Sequence, residues 1–144
     1  MRNAKLKETL LLLIWTQALV ALLGSLFFSE VMGYTPCQLC WIQRIFMYPL
    51  VIIYGVAAIK KDMQIAIPGL ILSGMGLFVS IYHYMLQKMP HLFHSDTLCS
   101  DVPCNLQYIN YFGFITIPFL AGAAFIVIFV LHSLLWIKTR GKEL

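Results

Sequence analysis

Charged positions are spread very unevenly along this chain. They gather in short clusters, and the runs at 9–28, 45–59, 64–87 and 105–137 contain no Asp, Glu, Lys or Arg at all. An α-helix rises 1.5 Å per residue, so about 20 apolar residues cross the ~30 Å hydrocarbon core of a bilayer. Measured against that length, the pattern predicts four membrane-spanning helices, at residues 10–28, 40–59 (with Arg44 near one end), 65–86 and 113–137. The connections between them differ in kind. "KKDM" is a minimal tie between the second and third helices, and 29–36 is also short. Only 87–112 has room for function outside the bilayer. The expected fold is an all-α membrane protein, one domain over 1–144. It is a four-transmembrane-helix bundle with a short first and a longer second extracytoplasmic loop.

Composition supports this reading. Of 144 residues, 60% are hydrophobic and 11% charged, and mean hydropathy is +0.83, which leaves too little polar surface to coat a water-soluble domain. A cleaved signal peptide is the alternative for the first run, with Arg2, Lys5 and Lys7 as its basic region. The apolar stretch is too long for that, and "SLFFSEVMG" offers no small-residue cleavage site. The net charge of +4 is a topology signal: eight of the ten basic residues (Arg2, Lys5, Lys7, Lys60, Lys61, Lys138, Arg140, Lys142) fall on one side. The other side has Lys88, with Arg44 at its boundary, and the acids Glu30, Asp96 and Asp101. By the excess of Lys and Arg in cytoplasmic loops, both termini are expected in the cytoplasm. No nucleic-acid-binding patch is present.

All four cysteines then fall on the outer face, where disulfides persist. Cys37 and Cys40 open the second helix, and Cys99 and Cys104 lie in the long outer loop. Thr35-Pro36-Cys37-Gln38 fits a capping box, with Thr35 as N-cap, which puts Cys37 in a first turn that favours a thiolate. Cys40 and Arg44 continue the same helical face, and a cation at this depth is a functional hypothesis by default. Arg44 is a candidate to hold the Cys40 thiolate or a reduced anionic acceptor beside it. Trp41 reads as an interface anchor.

Two other uses of the cysteines compete with redox chemistry. Structural staples are disfavoured because closely spaced pairs close tiny loops and remove little unfolded-state entropy. A four-cysteine zinc site is allowed by ligand type, but it leaves Arg44 unexplained and sets a cation beside a cation. Gly69 and Ser73 have the spacing of close helix packing, and Pro49, Pro68 and Pro118 are candidates to kink their helices. The aromatic-rich stretch with Leu106, Tyr108, Ile109, Tyr111 and Phe112 suits the membrane interface.

"PCQLCWIQR" at the second helix, "HYMLQKMP" closing the third and "CSDVPCNLQYINYFGFITIPF" leading into the fourth resemble the DsbB family of membrane disulfide-bond formation proteins. The likeness is to its Gram-positive, BdbC-like branch and covers essentially the whole chain. The resemblance implies a bacterial cell-membrane enzyme that reoxidises a secreted or membrane-anchored thioredoxin-fold oxidase of the DsbA/BdbD kind. The electrons would pass to a membrane quinone, menaquinone or ubiquinone. It makes Cys37 and Cys40 the inner pair, Cys99 and Cys104 the loop pair, Cys40 the cysteine facing the quinone and Arg44 the quinone-side arginine. It also makes His83 a quinone neighbour or proton route. One departure stands out: only four residues separate Cys99 from Cys104, far fewer than in proteobacterial members. Competing functions are a quinone-linked four-helix oxidoreductase of the vitamin K epoxide reductase-like type, and a non-enzymatic four-span scaffold.

Overall fold

The computed structural model describes residues 2–92, 99 and 101–141; Asp96 and Lys142, used in the charge argument, lie outside them. Four helices, α1 (Arg2–Leu26), α2 (Gln38–Lys60), α3 (Ile67–Lys88) and α4 (Ile117–Arg140), form an up-and-down bundle. All four are long and apolar enough to cross a membrane. Helices suit that setting because each satisfies its own backbone polar groups where no water can. Each helix packs on the next in chain order, and α4 closes the ring against α1.

Small residues on α3 set the packing. Gly69, Ser73, Gly76 and Ser80 are buried at spacings of three and four residues, and the same stripe continues to His83. A Cβ at Gly69 would press on the Tyr54 ring from α2 at 2.8 Å, and one at Gly76 would run into the Phe125 ring from α4. Both rings are fully buried, so they dock where α3 has no side chain. The Tyr54 hydroxyl hydrogen-bonds His132 Nδ1 at 2.7 Å across the bundle. Ile52, Ile59 and Phe78 face outward, as lipid-facing positions should.

Helix ends depart from the expected spans. α1 starts at Arg2, because its basic segment stays helical beyond the apolar run, and Glu8 pairs with Lys61 (3.0 Å) at the α2–α3 turn. At its other end, a five-residue-spaced turn over Phe27–Val31 extends it. The capping box at Thr35 is not formed. α2 begins at Gln38, and Cys37 is its N-cap residue in extended backbone (φ −74°, ψ 173°) with no side-chain cap bond. α4 begins at Ile117 because Phe112 (φ 54°) and Gly113 (φ 79°) reverse the chain in the left-handed region first. Pro68 and Pro118 lie in first turns, where a missing N–H costs nothing. They do not interrupt their helices; Pro49 alone lies inside one.

Candidate functional site

The cysteine end of the bundle is built from the start of α2, the end of α3 and the loop between α3 and α4. One turn of α2 brings the Cys37 and Cys40 sulfurs to 3.1 Å of each other, both as free thiols. Cys37 lies outside the spanning helix. The hydrogen bond from the Cys40 thiol, with a further contribution from His83, holds the Cys37 thiol well below its ordinary pKa, against the opposing effect of burial. A stabilised thiolate at Cys37 is the form that exchanges with a disulfide.

His83 projects from α3 between the two cysteine-bearing segments. Its Nε2 lies 3.6 Å from Cys37 Sγ and 3.1 Å from the Cys104 carbonyl oxygen, and its Nδ1 lies 3.3 Å from Gln43 Nε2. The Gln43 amide nitrogen can only donate, so Nδ1 accepts and the ring proton sits on Nε2. That proton faces the Cys37 sulfur and the Cys104 carbonyl.

Cys99 and Cys104 are joined in a disulfide, with Cα atoms 5.7 Å apart. Cys104 is buried in one apolar cluster with Cys37, Leu39 and Leu86, and Cys40 and Cys99 pack against it. Gln87 donates to the Leu106 carbonyl (3.1 Å) and accepts at its own carbonyl from Gln107 (3.0 Å), pinning the loop to α3. The loop disulfide therefore sits beside the inner thiols. A site using all four sulfurs is excluded in this state, since two are bonded to each other. Among the described residues, Cys37, Cys40 and His83 are the group with metal-ligand chemistry at close range, their ligand atoms within 4.8 Å of one another.

Arg44 continues the α2 face, as its spacing required, but its guanidinium donates to neither sulfur. Nε bonds Ser25 Oγ and Nη2 bonds the Ser25 carbonyl, both at 2.9 Å, and the group stacks over Trp41 at 5.2 Å. Cys40, Gln43 and Arg44 line a cavity of about 430 Å³ whose other walls come from α1, α4 and the connection between α1 and α2. That volume lies in the range of small-molecule sites, and an apolar lining with a few polar groups is their usual character. Tyr34 and Tyr108 stack at 4.8 Å along its edge at the cysteine end of the bundle. His83 is not part of this lining; it belongs to the thiol side. Gln43 and Ser25 were not singled out from sequence. An amide on the Cys40–Arg44 face was the available sign for Gln43; nothing marked Ser25.

The fold and this arrangement define a four-span membrane protein that presents a dithiol to a neighbouring disulfide. The chain belongs to the DsbB family: the family profile described as "Disulfide bond formation protein DsbB" matches residues 7–134. It is 61% identical over 140 residues to a "Probable disulfide formation protein" of Oceanobacillus iheyensis, covering 96% of each chain. To the "Probable disulfide formation protein C" of Halalkalibacterium halodurans it is 51% identical over 137 residues, 95% of this chain and 99% of the other. To the "Disulfide bond formation protein C" of Bacillus subtilis it is 51% identical over 121 residues, 84% and 88% of the two chains. No solved structure gives a significant match. Membership supports a membrane disulfide-forming role and oxidoreductase chemistry.

Proposed function

We propose that this protein takes electrons from a reduced thioredoxin-fold thiol oxidase outside the cell and delivers them to a membrane quinone. One observation carries the reading. The inner pair has two faces, with Cys37 against His83 and the loop disulfide, and Cys40 on an apolar cavity that also holds Arg44. A soluble thiol and a lipid-borne oxidant can each reach one face. The cluster of basic residues at the opposite helix ends supports cytoplasmic termini and outer cysteines.

The relay runs by thiol–disulfide exchange. With the inner pair oxidised, a partner thiolate attacks the loop disulfide at Cys99, and Cys104 leaves as a thiolate. The partner's second thiol releases itself as a disulfide and frees Cys99. Cys104 attacks Cys37, and Cys40 leaves as a thiolate. Cys99 then displaces Cys37, which restores the loop disulfide and leaves both inner thiols reduced, the state seen here. The Nε2 proton of His83 stabilises the Cys37 thiolate, and Gln43 fixes the ring that holds it. A quinone, when bound, supplies two-electron oxidising capacity. Cys40, Gln43 and Arg44 are the polar groups of α2 positioned to hold it. Net, two partner thiols become a disulfide and one quinone becomes a quinol.

The test is continuous anaerobic oxidation of a reduced thioredoxin-fold partner by the purified protein in liposomes, with and without quinone. Only with quinone present should oxidation continue past the two equivalents that the protein's own two disulfides can take up. Equal turnover without it would remove the quinone from the reading.

A further inference from the structure

We infer that Ser25, at the C-terminal end of α1, is a positioning residue for the quinone-side guanidinium of Arg44. This rests on the quinone reading above and names how its cationic group is held. Arg44 is buried among apolar helices, where a cation is retained only with specific partners, backbone carbonyls among them. It has five N–H donors, and Ser25 takes two from one edge, Nε with its hydroxyl and Nη2 with its carbonyl. Three donors remain at the far end of the planar fork, and Ser25 and Arg44 both line the cavity.

Local structure explains why this carbonyl serves. Ser25 is one residue from the end of α1, so its carbonyl is among the last four of the α-helical ladder. Immediately beyond, hydrogen bonding changes to five-residue spacing, as in Met32 N–H to the Phe27 carbonyl. Such turns recur at functional sites. Trp41 covers the guanidinium face at 5.2 Å, so edge and face are both fixed. The guanidinium thus reaches an acceptor already oriented and gives up little side-chain entropy on binding.

The experiment measures direct binding of short-chain ubiquinone and menaquinone analogues to the intact reduced protein, together with quinone KM, kcat and single-turnover exchange with the partner. Ser25→Ala removes one charged hydrogen bond and leaves the carbonyl bond, so quinone Kd and KM should rise about five- to tenfold. Saturating kcat should stay within about twofold, and partner exchange should be unchanged. Ser25→Thr, which keeps the hydroxyl, should restore binding. On an Arg44→Ala background, Ser25→Ala should add nothing, because it acts through the arginine. Wild-type quinone binding by Ser25→Ala, with Arg44→Ala impaired, would overturn the inference and leave the quinone reading standing. No change in either single variant would overturn both. An effect of Ser25→Ala that persists without Arg44, or that equally impairs partner exchange, would also overturn the positioning role.

Discussion

Replacing Gly76 with alanine tests how the bundle is held at the level of the cavity. Two effects oppose each other. Alanine is favoured over glycine in a helix by about 1 kcal/mol. A Cβ at Gly76, however, would fall inside contact distance of three atoms of the Phe125 ring. Phe125 is fully buried, and the space open to its ring is the cavity it lines. Overpacking a tight core costs about 1–3 kcal/mol, and a clash with three atoms of one ring puts this site at the upper end. The net expectation is a loss of about 1–2 kcal/mol. Gly122 is the internal control, because a Cβ there meets only the Ser80 Cβ at an ordinary 3.4 Å. Gly122→Ala should be neutral or gain up to about 1 kcal/mol. Reversible unfolding in mixed micelles, read by far-UV circular dichroism, compares the two. Phe125 also lines the cavity, so Gly76→Ala should raise quinone KM as well, and Phe125→Leu in the same protein should recover stability. Equal shifts for both glycines, or no recovery with Phe125→Leu, would refute the packing argument.

Other expectations follow from the site. Thiolate absorbance of the reduced protein, measured against Cys37→Ser, should persist well below the ordinary thiol range. His83→Ala should move its midpoint upward. Because Cys37 is held below its unfolded value, its contribution to the reduced protein's stability is complete above the ordinary thiol pKa and is lost as pH falls through the folded value. A midpoint unmoved by His83→Ala would separate His83 from the thiolate. Each single Cys→Ser variant should lose turnover yet insert and fold, since the loop disulfide spans a sequence separation of only 5 and contributes little stability; full activity in both loop variants would break the relay. On intact reduced cells, a membrane-impermeant maleimide should label Cys99 or Cys104, and labelling only after lysis would invert the orientation.

The four spans and the grouping of the cysteines were legible because the bilayer imposes a length on apolar runs, and that length is readable from charge spacing alone. Helix ends were not, because the same signal marks the membrane rather than the helix: α1 runs back to Arg2 through basic residues. At the start of α2, the pattern Thr35 to Gln38 satisfied a local rule that the chain did not use. The site divides in the same way. Cys37, Cys40 and Arg44 were visible because helical spacing joins them, whereas Ser25 and Gln43 became partners only through packing between helices. His83 was picked out by resemblance, but its placement on Cys37 rather than along the cavity depends on where the α3 stripe meets the α3–α4 loop. The short Cys99–Cys104 spacing did not prevent the loop disulfide from reaching the inner pair, because Gln87 and Gln107 hold that loop against α3.

The central claim is that the inner pair gives its electrons to a quinone at the Cys40 face. Anaerobic titration of the protein with quinone, starting from reduced inner thiols and an intact loop disulfide, tests it most directly. Quinol is read by ultraviolet absorbance and cysteine pairing by mass spectrometry of alkylated peptides. The account predicts one quinol per Cys37–Cys40 disulfide formed, in the wild type and equally in a Cys99→Ser/Cys104→Ser double variant. Failure to form quinol as the inner thiols are oxidised, or loss of the reaction in the double variant, would contradict it.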